Sequence, residues 1–280
     1  MTLDAFIREG KAKLEETRAE CGDPQYHLRL LVEGVLGWNS AEIIRRGPQV
    51  LAPQEQAPLE KAFARRLAGE PLQYILGYAD FWKERFHVGP GVLIPRPETE
   101  CLVEKALELL PSGSLRIAEL GPGTGAIGIS LLQERAKWDW YCWELNPASI
   151  PYIRKNVVLL ERPVAFTLFQ GDFFALNGGV WDALISNPPY VARGEMEGLS
   201  REVRQEPVEA LDGGESGLEI VHKLIDVGKK GLVPGGALLL EIGSDQGAAV
   251  LEALQQAGYV SSAIFPDLAG KDRIAYGRRP

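Results

Sequence analysis

The chain has 280 residues, 45% of them hydrophobic, and a formal charge of −8 from 38 acidic and 30 basic residues. That length and apolar content suffice for one large domain and a smaller one. The acidic balance gives the surface as a whole no attraction for phosphate backbones, which bind through Lys and Arg, so direct nucleic acid binding is not expected.

No apolar run of about 18 residues occurs, and Met1 to Gly10 lack the basic, apolar and small-residue order of a signal peptide. The expectation is a cytoplasmic protein with no membrane span, acting as a monomer. Cys21, Cys101 and Cys142 lie far apart and form no C-x-x-C pair, and His27, His87 and His222 are equally scattered. They read as reduced, buried small hydrophobes and unconnected imidazoles, so no metal site is expected. Neither a G-x-S-x-G elbow nor a G-x-x-x-x-G-K-[ST] loop is present, which removes the serine hydrolase and P-loop readings.

In residues 2–66 apolar side chains recur at helical intervals, as in Leu3, Phe6, Ile7 and again Leu59, Phe63, Leu67. Thr2 and Ser40 are expected N-caps, and Gly69 before Pro71 an expected stop. Residues 74–94 change to aromatic and β-branched side chains around polar ones (Phe81, Trp82, Phe86, Val88, Val92, Ile94), which predicts a β-hairpin. Pro95-Arg96-Pro97-Glu98-Thr99-Glu100 then opens a helix to about Leu110, with acids favoured at its positive end. Beyond Pro111 short apolar strands (115–120, 141–144, 164–170, 183–186, 237–242) alternate with helical stretches (126–133, 147–160, 218–229, 243–257). Such alternation predicts a parallel sheet with helices on both faces, closed by a strand pair at 259–265 and 273–277.

The first of these strands runs into Glu119-Leu120-Gly121-Pro122-Gly123-Thr124-Gly125, where the glycines allow a tight turn and close approach of a ligand to the backbone. The loop is G-x-G-x-G with an acid two residues before it, not the dinucleotide G-x-G-x-x-G, and this spacing suits adenosylmethionine better than NAD. Glu144, 25 residues after Glu119, ends the next strand where a carboxylate can accept from two ribose hydroxyls. Asp172 follows the third strand and is followed by the aromatic Phe173, a pair suited to an adenine amino group and ring face. Taken singly, the loop reads as an ordinary turn, Glu144 as a solvated strand end and Asp172 as a cap. Three ligand-competent strand ends in succession on one sheet edge favour cofactor binding.

The fourth strand ends in Asn187-Pro188-Pro189-Tyr190, a tetrapeptide that random placement of 19 Pro and 8 Tyr would rarely produce. A rigid turn is the alternative, since each proline fixes φ and holds its predecessor extended. Chemically the segment is an acceptor site: the prolines carry no N–H, and the Asn187 side chain adds an oxygen. An NH2 group can donate to Asn187 and to the Pro188 carbonyl, with Tyr190 expected to pack on the planar group that carries it. The residues alone thus indicate methylation of an amide or an exocyclic amine, and leave three readings open. These are a glutamine methyltransferase, an adenine-N6 methyltransferase and a cofactor-binding module without turnover.

Further segments complete the pattern: Gly77, Phe81, Phe86 and Val88; Leu93-Ile94-Pro95-Arg96-Pro97-Glu98-Thr99-Glu100; Val203-Arg204-Gln205-Glu206-Pro207; Ala210-Leu211; and Gly214 to Gly217. With these, almost the whole chain resembles the HemK/PrmC family, the peptide chain release factor glutamine methyltransferases. The resemblance implies a Rossmann-like class I methyltransferase domain with a seven-stranded, mostly parallel sheet over residues 96–280. A β-hairpin over 74–95 would join it to a small helical, substrate-docking domain over 1–73. It further implies S-adenosylmethionine as methyl donor, S-adenosylhomocysteine as product, and a release factor as partner, methylated on N5 of the glutamine in its Gly-Gly-Gln motif. A sister enzyme acting on a ribosomal protein shares these motifs.

By position, Gly121, Pro122, Gly123, Thr124, Gly125, Glu144, Asp172, Phe173 and Asn187 would contact the cofactor. Asn187, Pro188 and Tyr190 would be catalytic, and Asn187 to Tyr190, Pro189 included, would hold the glutamine amide. Glu119, Arg96, Pro97 and Thr99 would line the cofactor site. Two positions depart from the family's pattern: Glu119 stands where Asp is frequent, and Pro122 where a small polar residue is frequent. Neither removes an acceptor or a glycine.

Overall fold

The structure is a computed structural model and describes residues 1–16, 23–161, 164–172 and 180–280. It separates into two compact units, residues 1–78 with 199–206, and residues 79–198 with 207–280.

The first unit holds α1 (Leu3–Glu16), α2 (Pro24–Leu36), α3 (Ser40–Arg46), α4 (Pro53–Leu67) and α5 (Leu72–Leu76). The Thr2 hydroxyl accepts from the Ala5 N–H at 3.2 Å, as a cap should. Ser40, expected to cap α3, is instead its first residue. Asn39 takes the cap because its side chain accepts from the Glu42 N–H while the Glu42 carboxylate accepts from the Asn39 N–H, satisfying two end donors at once. Leu3, Phe6, Leu28, Leu31, Leu59 and Phe63 form the core, with Phe6 edge-on to Phe63 at 5.6 Å.

Arg66 on α4 is also buried, 3% exposed, and its guanidinium pairs with Glu202. This contact explains why residues 199–206, expected within 96–280, group with the helices: a buried guanidinium needs a carboxylate. The hairpin is shorter than 74–95. Leu72–Leu76 closes as a helical turn ended by Gly77 at φ 81, leaving β1 (Tyr78–Phe81) and β2 (Glu84–His87).

In the second unit the sheet contains β3 (Arg116–Leu120), β4 (Asp139–Glu144), β5 (Ala165–Gln170), β6 (Trp181–Ser186), β7 (Leu232–Glu241), β8 (Val260–Pro266) and β9 (Asp272–Arg278). Their order is β5-β4-β3-β6-β7-β9-β8, parallel except for β9, which runs antiparallel between β7 and β8. β3 is buried from Ile117 to Leu120 without alternation, as a strand covered on both faces must be. α6 (Glu100–Leu109) and α7 (Ala126–Glu134) cover one face, where Leu102 and Leu131 meet Trp140 and Ile185. α9 (Glu219–Gly231) and α10 (Gly247–Gln256) cover the other, where Leu224 and Val250 meet Leu184 and Leu238. α8 (Ile150–Asn156) ends in a buried Asn156 whose carboxamide joins the His87 backbone to the Thr124 carbonyl, tying β2 to the glycine loop.

This is the Rossmann-like class I methyltransferase architecture. The chain leaves β3 for β4 and β5 on one side and returns to β6 on the other, so a crevice opens at the carboxyl ends of β3 and β6. Among the described residues no helix is long and apolar enough to cross a membrane, and no group of three His, Cys, Asp or Glu is placed to hold a metal ion.

Candidate active site

A cavity of about 450 Å³ occupies that crevice, lined from the ends of β3, β4, β5 and β6 by Gly121, Glu144, Asp172 and Asn187 among others. The glycine loop turns immediately beyond β3. Gly121 donates to the Trp143 carbonyl at 2.9 Å, and the Gly125 N–H closes the turn on the Pro122 carbonyl at 2.8 Å. Gly121 sits at φ +69, and a Cβ there would meet nothing within 4 Å, so the missing side chain leaves room for a ligand against the backbone.

Glu144 faces the loop across the cavity floor. One carboxylate oxygen accepts from the Gly123 N–H at 2.9 Å and the other from the Asn146 N–H at 2.8 Å. Burial raises its pKa, while the backbone donors of Asn146, Gly123 and Leu145 oppose that rise. With three backbone donors on about four acceptor sites, the carboxylate keeps one site for a ligand hydroxyl.

At the end of β6 the Ser186 hydroxyl donates to the Leu120 carbonyl at 2.6 Å, fixing this strand end against the end of β3. Asn187, Pro188 and Pro189 follow along the cavity wall. The Asn187 Nδ2 donates to Thr99 Oγ1 at 3.2 Å, so its Oδ1 remains as an acceptor. The backbone beyond is clamped. Gln246 Nε2 donates to the Tyr190 carbonyl at 2.9 Å, and a Cβ on Gly217 (φ +78) would stand 2.5 Å from that same oxygen. The glycine-rich stretch after Leu211 is thus a bed for the tetrapeptide.

The cavity brings together Arg96, Thr99, Gly121, Pro122, Gly123, Thr124, Glu144, Asp172, Asn187, Pro188 and Pro189. Four other expected residues do not line it. Tyr190 lies with its phenol 3.4 Å from Glu241. Burial pushes that phenol up to about 12, so it stays a neutral donor. Pro97 turns away within the 3-10 turn Pro97–Thr99, while Arg96 and Thr99, three apart, share the cavity side. Gly125 is the N-cap of α7 at φ 80 and serves the turn.

Glu119 is the fourth. It is fully buried behind the loop and accepts from Trp140 Nε1 at 2.7 Å, a length of side chain that Asp would not reach as easily. Phe173 lies outside the described residues. Glu241 and Gln246 belong to none of the motifs in the sequence. The available signal was Glu241 itself, a fourth acid ending an apolar strand, in the same pattern as Glu119 and Glu144.

Two buried carboxyls leave a mark on stability. Burial pushes Glu119 up to about 8 and Glu241 up to about 7, against an ordinary 4.5 for either in the unfolded chain. The folded chain therefore holds protons that the unfolded chain releases. Their stabilising contribution is complete below about pH 4.5 and is lost as pH rises through about 7 to 8. In urea titrations across this window, Glu119→Gln is expected to show a shallower fall in stability than the parent chain. Parallel slopes would contradict the assignment.

Comparison with known proteins agrees with this geometry. A family model described as methyltransferase small domain matches residues 99–259, and one described as PrmC N-terminal domain matches residues 5–77. The chain is 42% identical over 260 residues to the release factor glutamine methyltransferase of Moorella thermoacetica, spanning 89% of this chain and 92% of that one. It is 34% identical over 278 residues to the enzyme of the same name from Escherichia coli, spanning 99% of each. Among solved structures, a methyltransferase from Pyrococcus furiosus superposes with a TM-score of 0.53 at 17% identity, covering 79% of this chain and 98% of that one, a likeness of fold alone. With catalytic-unit architecture, helical unit and full-length identity in agreement, the chain belongs to the release factor glutamine methyltransferase family.

Proposed function

We propose that this enzyme transfers a methyl group from S-adenosylmethionine to the side-chain N5 of the glutamine in the Gly-Gly-Gln motif of peptide chain release factors, leaving S-adenosylhomocysteine. The observation that carries the reading is the Asn187-Pro188-Pro189 wall of the crevice, with the Asn187 amide nitrogen held by Thr99 and its oxygen left as an acceptor.

The donor fits the chemistry of the other wall. The open backbone at Gly121, the Glu144 carboxylate and Asp172 supply room, a hydroxyl acceptor and a further acid at three neighbouring strand ends. Bound there, S-adenosylmethionine supplies an electrophilic methyl on a sulfonium. Everything else falls to the chain. Asn187 Oδ1 and the Pro188 carbonyl accept the two hydrogens of the glutamine NH2, which fixes the nitrogen with its lone-pair face outward. An amide nitrogen is a weak nucleophile, so rate comes from alignment and from exclusion of water rather than from a base. Asn187 cannot take a proton, and the amide proton leaves to solvent once the new C–N bond has formed. A carboxylate or ester side chain in place of the glutamine would leave these acceptors unpaired and would be rejected.

Glu144→Ala removes a ligand acceptor and also orphans the Gly123 N–H. A hydrogen bond to a charged group contributes roughly 1.5–3 kcal/mol, so the Kd for S-adenosylhomocysteine by calorimetry is expected to rise at least about 10-fold. Unchanged affinity would remove Glu144 from the cofactor site. The function itself is tested by incubating the enzyme with methyl-labelled S-adenosylmethionine and, separately, a release factor, a ribosomal protein mixture and DNA. Label is expected on the release factor. Label on ribosomal protein or DNA alone would transfer the activity to another substrate. Residues 1–73 are proposed to dock the partner, so a peptide carrying only the Gly-Gly-Gln segment should accept far less label than the whole factor.

A further inference from the structure

The carboxamide of Asn187 is nearly symmetrical in shape, so only its hydrogen bonds decide whether oxygen or nitrogen faces the substrate. Its neighbour Thr99 does not settle the matter alone, because a hydroxyl can either donate or accept. The group behind Thr99 does. Glu241 ends β7, whose register pairs Ser186 with Leu240 and so sets Glu241 beside Asn187. It is 1% exposed, and the Thr99 hydroxyl is hydrogen-bonded to its side chain.

We propose that Glu241 is a positioning residue that, through the Thr99 hydroxyl, fixes the Asn187 carboxamide with its oxygen toward the substrate amide. The proposal rests on the reading of Asn187 Oδ1 as the acceptor for that amide. Above about pH 7 Glu241 is ionised and only accepts, so there the single hydroxyl hydrogen of Thr99 is committed to it. Thr99 Oγ1 then has only lone pairs for Asn187, which must answer with Nδ2, the contact seen at 3.2 Å. A flipped Asn187 would set oxygen against oxygen at Thr99 and NH2 against NH2 at the substrate. The other end of the tetrapeptide reports to the same carboxylate, since the Tyr190 phenol lies 3.4 Å from Glu241 Oε1. The charges around Glu241 are Arg273, which favours its ionised form and is itself held by Asp267, and Glu98, which disfavours it.

The test measures kcat for methylation of a release factor, and the Kd for S-adenosylhomocysteine, in Glu241→Gln, Thr99→Val and Thr99→Ser. Gln can donate to Thr99, which frees the hydroxyl hydrogen and removes the constraint. Val keeps the shape of Thr and loses the relay. Both are expected to lower kcat at least about 10-fold, as misplacement of a reacting group does, with Kd within about threefold of the parent. Thr99→Ser, which restores the hydroxyl, is expected to recover most of the rate lost in Thr99→Val. Parent-like kcat in either Glu241→Gln or Thr99→Val overturns the proposal. So does a proportional loss of kcat and affinity in both without rescue by Ser, which would mark a merely structural role. Parent-like turnover in Asn187→Ala is a different failure: it overturns the reading of Asn187 and this proposal with it.

Discussion

Replacing Asn187 by alanine is expected to slow methyl transfer at least about 10²-fold, because an error of about 1 Å in the placement of a reacting group can reach that size. The fold should be unaffected. Asn187 is only partly buried, and the strand end beneath it is held independently by the Ser186 hydrogen bond to Leu120. Its backbone conformation is set by the two prolines that follow and by the Gln246 clamp on Tyr190, neither of which needs the Asn187 side chain. The loss should therefore appear in kcat, with unfolding midpoint unchanged and S-adenosylhomocysteine affinity altered by less than about 10-fold. Near-parent turnover would contradict the acceptor role, whereas a parallel collapse of stability would mean that the side chain supports the loop rather than the substrate.

Glu202→Ala should act on stability rather than chemistry. It leaves the Arg66 guanidinium, 3% exposed against 19% for its partner, without its carboxylate. Removing one member of a buried pair costs about 3–5 kcal/mol, and the partial exposure of Glu202 places this case toward the lower figure. The residual bond from Arg66 Nη1 to the Glu70 carbonyl, at 3.3 Å, is too long to offset much of that. Urea unfolding followed by circular dichroism should show an early transition in the helical unit. Because replacing both charges by apolar groups of similar volume is often neutral, Arg66→Met with Glu202→Leu should recover most of the loss. A single variant within about 0.5 kcal/mol of the parent would show the pair to be an exposed one in solution.

What was legible in the sequence is what local chemistry dictates. Gly121, Gly123 and Gly125 take positive φ at a strand-to-helix turn, and the sheet brings Glu144, Asp172 and Asn187 to the same edge because each ends a parallel strand. What was not legible depends on partners distant along the chain. Glu202 is 136 residues from Arg66, so nothing local assigns residues 199–206 to the helices. The 3.4 Å contact of the Tyr190 phenol with Glu241, 51 residues further along the chain, has no local signal either. Glu119 reads as a ligand from its place beside the loop, and nothing local announces that it is buried and accepts from the indole of Trp140 on the next strand. Between Asn39 and Ser40, two competent caps in succession, the choice turned on Glu42 three residues beyond the first.

The central claim is that this crevice delivers a methyl to one particular nitrogen. Tandem mass spectrometry of a release factor after reaction locates the added mass directly. A single methyl on the side chain of the Gly-Gly-Gln glutamine, absent when Asn187→Ala is used, is the result expected. A methyl on any other residue, or an unmodified glutamine in a factor that has taken up label, would contradict it.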